Sequence, residues 1–539
     1  MPRVSVVKAL TGHGILEETF VDPADAVSSL ASRVIAAEEA TTCVHEKLCC
    51  ALASEKGTAL DPCATIGTYD LADGSVLRAF LRPMPFLCPT KCSDRGPGGA
   101  AFAQLEPHGA LTAWGHAFYG GDASCVAASL SQDVKQVCST GVAFAALKCD
   151  GSVVTWGNSE EGGDSSAVAS EIASDVQELF STAFAFAALK TDGTLVTWGN
   201  PDGGADSTSV KELMKGGVRQ VAASQSAFAV LNTDGSVFAW GHPEMGGDAA
   251  PVKDLVAADV LEVFANKGAF AALKTDGSVV TWGYRGGGGD STIVQEALSR
   301  DVVRVFPSQA FAFAALKSNG SLVTWGDAQM GGDSAAVQDK ISSGVVSVSS
   351  GMCAYAALKT DGSVVAWGSP DYGGDIGVAA VGLADGVVSL FASAAAFAAV
   401  KANGSVVTWG NDSAGGATSS TVKEQLAHGV QQVFATKQAF AALKTDGTVV
   451  TWGHPMMGGN STLVTQRLVG VRHVSSTDGA FAAVRCDGSV VTWGHPRFGG
   501  SRTAGPPQII ETLLELCRAM NEREDERARA SSERGEHVD

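Results

Sequence analysis

Every tryptophan in the chain is followed by glycine. The ten pairs begin at Trp114, Trp156, Trp198, Trp240, Trp282, Trp325, Trp367, Trp409, Trp452 and Trp493, with spacings of 42, 42, 42, 42, 43, 42, 42, 43 and 41 residues. A fixed period of this size marks a repeat architecture, in which each unit buries its apolar surface only against its neighbours. One module, copied ten times, therefore accounts for residues from about 93 to 505 of the 539.

Residues 176–212 show the module clearly. Val176 and Leu179 open it. Phe186-Ala187-Ala188-Leu189-Lys190 follows, then Thr191-Asp192-Gly193, then Thr194-Leu195-Val196-Thr197-Trp198-Gly199. Two apolar runs joined by Asp-Gly predict a β-hairpin, and the expected turn is type I′, with positive φ at both central residues. The dipeptide recurs at Asp150-Gly151, Asp234-Gly235, Asp276-Gly277, Asp361-Gly362, Asp446-Gly447 and Asp487-Gly488, with Asn319-Gly320 and Asn403-Gly404 as variants. Only His108-Gly109 departs. In Phe144-Ala145-Ala146-Leu147 either alternation gives an apolar row, so both faces of the strand must be covered. Blades of a propeller meet that demand.

After Trp-Gly comes a variable stretch, then Gly-Gly and often Asp, as at Gly163-Asp164, Gly247-Asp248, Gly332-Asp333 and Gly374-Asp375. The next segment, such as Ser165 to Ile172, reads as one or two helical turns capped by that Asp or Ser. A calcium role is poorly supported. The alternation of ligands is missing, and the position becomes Ala417, Asn460 and Ser501 late in the chain.

The run Ala-Leu-Lys-x-Asp-Gly-x-Val-x-x-Trp-Gly resembles the blade motif of the regulator of chromosome condensation family of β-propellers. The short period is similar to the bacterial β-lactamase-inhibitor propeller of that superfamily, whose blades have three strands. The resemblance spans all ten repeats and implies a mainly β, ten-repeat propeller. Two departures stand out: the family's Gly-Gln-Leu-Gly is replaced by Gly-Gly-Asp-Ser, and its His before the Ala-Leu strand is Phe or Ala here. Guanine-nucleotide exchange activity does not follow from a motif altered in this way.

The first hundred residues read differently. Val4 to Leu10 and Ile15 to Val21 are expected strands around a turn at Thr11-Gly12-His13-Gly14. Asp22-Pro23 opens an expected helix, with Val27, Leu30 and Val34 on one face. Leu48 to Leu52 and Ser75 to Leu81 complete a β-β-α-β-β order that resembles ubiquitin-like β-grasp domains. Arg82-Pro83-Met84-Pro85 follows the last strand where a conjugatable ubiquitin has Gly-Gly, so a built-in, non-conjugated unit is expected. The resulting division is 1–85 ubiquitin-like, 86–100 linker, 101–520 propeller and 521–539 a charged, disordered tail.

Blade one lacks the apolar pair that lies 20 and 23 residues after the previous Trp in the other repeats. The same count from Trp493 lands on Leu513 and Leu516. The expectation is that residues 509–517 supply the missing strand and close the ring. An open spiral is the alternative architecture. The good helix formers of Ile509 to Met520 make a helix the competing reading of that segment.

A net charge of −19 argues against sequence-independent nucleic-acid binding. No apolar run approaches the roughly 18 residues of a membrane span, and the first residues lack the apolar core of a secretory signal. The 12 cysteines do not repeat with the module, which points to reduced thiols and a cytoplasmic or nuclear setting. Cys88 and Cys92 have no second pair at zinc spacing, so no metal or cofactor is expected. Histidines do not recur with a partner nucleophile or carboxylate, and neither a P-loop nor a dinucleotide fingerprint is present. No catalytic residue is assigned, and the chain is expected not to be an enzyme.

The variable stretch after Trp-Gly changes character from repeat to repeat, and symmetry gathers these loops on one rim. Phe118, Tyr119, Met245, Arg285, Met330, Tyr372, Met457, Arg497 and Phe498 are the candidate partner-binding residues, because aromatics, Met and Arg grouped on one surface suit an interface. The alternative for each is packing under a neighbouring blade. The expected function is a monomeric protein-interaction scaffold with the ubiquitin-like unit as second docking module. Regulation of a small GTPase and adaptor work in a ubiquitin-ligase or proteasome pathway are the alternatives.

Overall fold

A computed structural model describes residues 3–8, 14–20, 48–54, 75–83, 86–89, 101–106, 109–210 and 217–500. The molecule is mainly β. Ten three-stranded antiparallel sheets follow one another along the chain, each with strands in sequence order. Blade two is typical, with β8 (Val134–Ser139), β9 (Ala143–Lys148) and β10 (Val153–Gly157). The middle strand β9 is buried at Ala143 through Leu147. Its small alanines let sheets approach closely from both sides. Blade three shows the contact: Val176, Leu179, Phe186, Ala188 and Trp198 pack on Ala143, Ala145 and Leu147 of blade two, with Ile172 of the linker.

Three glycines and two aromatics make the joint between blades. Phe144 and Trp156 sit opposite each other in register and stack with centroids 5.2 Å apart. The Trp156 indole N–H donates to the Gly120 carbonyl of the preceding blade at 2.9 Å. Gly120 has φ +84°, and a Cβ there would lie 2.7 Å from the Phe144 ring. Only glycine offers both the left-handed backbone and the clearance. A Cβ on Gly121 would lie 2.4 Å from the Gly115 carbonyl carbon, so the second glycine packs on the one after Trp. The same indole-to-carbonyl bond recurs at 2.9–3.1 Å in blades two to ten.

The hairpin turn differs from the expected type I′. Gly151 has φ +83°, but Asp150 is not among the residues with positive φ. Gly151 N–H donates to Lys148 O at 3.0 Å, and Lys148 N–H donates to Ser152 O at 2.8 Å. This is a type I turn followed by a left-handed glycine bulge, the usual three-residue hairpin loop. Asp150 serves through its side chain: Oδ1 accepts from Ser152 N at 2.9 Å and from Ser152 Oγ at 2.7 Å. Those bonds hold its carboxyl below the usual aspartate range. The linker segments also differ in detail. Asp164 Oδ1 accepts from Ser166 N at 2.8 Å, capping a single 3-10 turn. Among the described linkers only Ser420–Gln425 of blade nine forms an α-helix.

Blade one is completed from upstream. β5 (Phe86–Pro89) pairs with β6 (Ala101–Leu105), which pairs with β7 (Leu111–Gly115). In blade two only Thr140 to Val142 separate the first two strands, whereas Thr90 to Ala100 separate them here. This longer connection displaces the apolar pair from its periodic place. The first strand of blade one is therefore not residues 509–517, which lie outside the described residues, and Phe86–Pro89 is not linker.

The ring is closed. The first strands of all ten blades form an inner wall in which each approaches the next, and β5 lies between those of blades ten and two. Trp114 donates to Gly499 O at 3.3 Å across the seam, 385 residues apart. Phe102, Trp114 and Phe498 share a core there with Ala480, Ala482 and Val490. An open spiral is excluded by these contacts.

Upstream, β1 (Arg3–Lys8), β2 (Gly14–Phe20), β3 (Leu48–Ser54) and β4 (Ser75–Pro83) form a sheet in the order β2-β1-β4-β3. β1 and β4 run parallel, and the other pairs are antiparallel. The expected helix after Asp22 lies outside the described residues, as does the 521–539 tail.

Two outcomes test this architecture. Gly277→Val should lower unfolding free energy by at least ~1–2 kcal/mol, the cost of a left-handed non-glycine residue. A Cβ there also meets Asp301 N at 2.8 Å. Asp276→Asn should leave chemical denaturation nearly unchanged, because an amide oxygen replaces the acceptor and φ stays negative. Next, a chain starting at residue 86 should remain a monomer, whereas one starting at residue 92 loses β5. Light scattering should then show association through the exposed edge of β6.

Candidate functional site: the loop face

Strand direction sorts the turns onto two faces. The first strand ends, the second begins and the third ends on one side, here called the loop face. The Asp-Gly turns lie on the other, the hairpin face, where Val176 N–H donates to Gly151 O at 3.0 Å at the start of the next blade. All the variable post-Trp stretches thus share the loop face, as the repeat symmetry predicts.

Each post-Trp stretch is one 3-10 turn of three residues closed by the left-handed glycine of the joint, as in Ala117–Tyr119 and Pro370–Tyr372. The residue before the turn often caps it: Asn158, Asn200, Asp327 and Asn411 accept from the backbone N–H two residues on at 2.8–3.0 Å. The third residue of the turn is held from below. Thr182 Oγ1 donates to Gly203 O at 2.9 Å, Ser224 Oγ to Met245 O at 2.9 Å, Thr436 Oγ1 to Met457 O at 3.0 Å and Thr477 Oγ1 to Phe498 O at 2.9 Å.

Position within the turn divides the candidate residues. Those at the third position turn inward. Phe498 is 9 % exposed and belongs to the seam core, where Tyr119 and Met457 also pack. Tyr372 packs on the core between blades seven and eight, and Met245 and Met330 are half-buried. Those at the first two positions face solvent. Phe118 is 56 % exposed, and Tyr284 and Met456 beside the candidates are also exposed. Arg285 is exposed and pairs with Asp290 at 2.7 Å. The Thr292 hydroxyl and then Arg285 lower the Asp290 carboxyl to about 2. The pair is mostly in solvent, so it organises the loop more than it stabilises the fold. The Arg497 side chain lies outside the described residues.

The structure also reveals a feature that the sequence reading missed. The turn between first and second strands forms a collar around the central channel. Gly141 N–H donates to Ala183 O at 2.8 Å, Ala183 to Gln225 at 3.0 Å and Gln225 to Lys267 at 3.0 Å. The chain of bonds continues to Lys437, which donates to Asp478 O at 3.0 Å. The Lys437 ammonium also meets the Asp478 carboxylate at 2.8 Å. The collar bounds a cavity of about 530 Å³ that Gln225, Lys267, Gln309, Met352 and Lys437 line. Its sequence signal is the Thr, Ser or Asn three residues before the first alanine of most middle strands, at Thr140, Thr182, Ser224, Asn266, Ser393, Thr436 and Thr477.

Among the described residues no group of His, Cys, Asp and Glu could hold a metal ion, and Cys125, Cys138, Cys149, Cys353 and Cys486 are free thiols. No described helix is long and apolar enough to cross a membrane.

No family model and no curated protein sequence matches the chain. Solved structures do. Yeast RCC1 (Prp20) bound to Kap60 is 15 % identical over 73 % of this chain and 82 % of that one, with a TM-score of 0.32. Prp20p from Saccharomyces cerevisiae, described with its binding to Gsp1p and histones, is 17 % identical over 61 % and 81 %, with a TM-score of 0.30. The ectodomain of the Physcomitrella patens receptor kinase CR4 is 16 % identical over 51 % and 72 %, also at 0.30. Likeness at this level assigns neither partner nor activity.

The split between the two kinds of loop position has a direct check. Phe498→Ala should cost ~3–5 kcal/mol, as expected for a core aromatic. Phe118→Ala should stay within about 0.5 kcal/mol of the parent. Urea denaturation of the two variants measures both.

Proposed function

We propose that the protein is a non-enzymatic scaffold that binds a partner protein on the loop face of its ring. One observation carries this reading. The ten post-Trp turns share one 3-10 backbone, held from below by a Thr, Ser or Asn side chain in six of them, while the described side chains at their first two positions face solvent and vary from blade to blade. A frame of that kind displays many different side chains at fixed positions, and pre-organised display lowers the ordering cost of association. Phe118, Tyr284, Arg285 and Met456 are the contact residues in this reading. Tyr119, Met245, Met330, Tyr372, Met457 and Phe498 act from beneath by shaping the turns, and Arg497 is assigned to the surface by position alone.

Two further features support parts of this reading. The parallel pairing of β1 and β4 at the centre of the N-terminal sheet supports a ubiquitin-like unit. The resemblance to the regulator of chromosome condensation repeats keeps a small GTPase among the protein partners to be tried.

The experiment is quantitative binding of a partner found by proximity labelling. Phe118→Ala with Met456→Ala should weaken the dissociation constant at least ~10-fold, with an unchanged melting midpoint, given that buried interface aromatics cost about 2 kcal/mol when truncated. Equal affinity of this variant and the parent would remove the loop face from the interface. Acceleration of nucleotide release from a small GTPase by sub-stoichiometric protein would replace the scaffold reading with an exchange factor.

A further inference from the structure

Toward the perimeter each blade ends on its third strand, where propeller blades more often carry a fourth. In blade five this outer strand is Val279–Gly283. Lys274 N–H donates to Ser278 O at one end of its pairing with the middle strand, and Tyr284 N–H donates to Gly268 O at the other, both at 2.8 Å. Antiparallel alternation between these ends turns the backbone groups of Val280 and Trp282 toward the middle strand and those of Val279 and Thr281 outward. Leu298 O of the following linker accepts from Val279 N–H at 2.9 Å. Among the described residues the Val279 carbonyl and the Thr281 N–H and carbonyl have no hydrogen-bond partner. They are three groups of a β ladder with no strand to meet them.

At blade five this edge lies along a groove of about 840 Å³. The linker before the blade packs between blades four and five through Val252 and Val256, and the linker after it packs between blades five and six through Val294 and Leu298. The two linkers therefore flank the outer strand on opposite sides. The first wall is apolar, with Pro251, Val252 and Leu255, whereas the second is polar, with Ser291, Thr292 and Gln295. Leu255 is 55 % exposed, so the apolar wall is uncovered. At the same place, just before the buried apolar residue of the linker, other linkers carry Glu171, Lys340, Gln425 and Arg467. The groove beside the outer strand of blade seven holds only about 250 Å³.

Charge selects the occupant. Glu244 and Asp248 line the loop-face end of the groove, and Asp276 lines it from the hairpin turn at the other end. Among the described lining residues Arg285 is the only cation, and it pairs with Asp290. The outer strand between these ends is about 17 Å long at ~3.3 Å per residue. An open edge can also pair with the edge of a second copy. Here two walls rise beside the strand, and a chain of net charge −19 repels its own kind at an acidic rim. A single extended chain with basic ends meets neither obstacle.

We propose that blade five takes up an extended segment of a partner protein as a fourth strand along Val279–Gly283. The backbone of the segment pairs with the Val279 carbonyl and with both Thr281 groups, which is recognition by strand addition. Alternate apolar side chains of the segment lie against Pro251, Val252 and Leu255. Lys or Arg residues at its two ends meet Glu244 and Asp248 on one side and Asp276 on the other. Backbone pairing supplies affinity, while the apolar wall and the acidic ends choose the sequence. The groove opens at the perimeter of the ring, so this inference does not rest on what binds the loop face.

The probe is a fluorescein-labelled peptide of sequence KVSVSVK with an amidated C-terminus, titrated into the full chain and followed by anisotropy. It should bind saturably, and the same peptide with glutamate at both ends should bind several-fold more weakly. Two further peptides are N-methylated, one on its valines and one on its serines. One should keep its affinity and the other lose it, because the N–H groups of alternate residues face opposite edges of a strand. Glu244→Lys with Leu255→Lys should weaken binding of the parent peptide at least ~10-fold at an unchanged melting midpoint, as loss of an apolar contact of leucine size implies. If that pair lowers the midpoint, Leu255→Ser is read in the same way. Phe118→Ala with Met456→Ala should leave peptide binding unchanged, which keeps the outcome separate from that of the loop-face reading. Absence of saturable binding, equal behaviour of the two N-methylated peptides, or binding that survives the groove substitutions would overturn the proposal. So would self-association of the parent protein that Leu255→Lys disperses, since the edge would then belong to a second copy.

Discussion

The indole N–H of each blade's tryptophan donates to a glycine carbonyl of the blade before it, and the rest of the ring depends on that bond. It fixes three things together. The stacked Phe or Tyr ring sets the indole plane, the left-handed glycine turns its carbonyl toward the indole, and the lack of a Cβ lets the ring lie against the backbone. A buried indole N–H without an acceptor would cost about 1–3 kcal/mol, so the bond also selects the spacing between sheets. Repetition makes the angle between blades nearly constant, and a constant angle closes after a fixed number of blades. The Trp114 to Gly499 bond at the seam is slightly longer than the others, yet it belongs to the same geometry.

Closure also manages the inner sheet edges. Each first strand presents an unpaired edge toward the axis, which is a hazard in an open array. Gln136 and Gln220 satisfy the backbone of the next blade with both ends of the side-chain amide. Ser181, Ser350 and Ser476 donate to the preceding blade near the collar. The collar then continues these links through backbone groups alone. Polar groups along the channel are thus drawn into contacts between blades, and the second residue of the inner strand is left to vary. That freedom shows in blades five to eight, where Leu261, Val303, Val346 and Val388 take this position and stay exposed.

Most of the fold was legible because it repeats. The Trp-Gly period identified ten modules, the Phe-Ala-Ala-Leu run marked a strand covered on both faces, and the Asp-Gly dipeptide located each hairpin. The dipeptide did not fix the turn type. Asp-Gly suits type I′ and also a type I turn with a glycine bulge, and the extra residue in the loop decides for the latter. The first strand of blade one escaped for a different reason. Periodic counting fails across an insertion, and the Thr90 to Ala100 connection shifts Leu87 away from the place that Val137 occupies in blade two. The candidate site was legible as a rim but not residue by residue. Tyr119, Tyr372 and Phe498 resemble interface aromatics in composition. Their place as the third residue of the turn, which for Phe498 is fixed by the Thr477 hydroxyl 21 residues earlier, goes with packing inward.

Repeat proteins separate what must be constant from what can differ, and here the separation runs through single turns. The third residue of the post-Trp turn is half-buried or buried, and in six turns a side chain from below clamps its carbonyl, so its substitutions act on stability. The described side chains at the first two positions are exposed, so their substitutions weigh little on the fold. The same division holds at the opposite end of the channel. The first residue of the inner strand packs on the preceding blade as Val176 does, the second varies in character, and the third reaches across to the next blade at Gln136 and Gln220. Each blade therefore offers one variable element to each end of the ring at little structural cost. Ten copies turn those small freedoms into two broad surfaces of independent character, one on the loop face and one on the hairpin face.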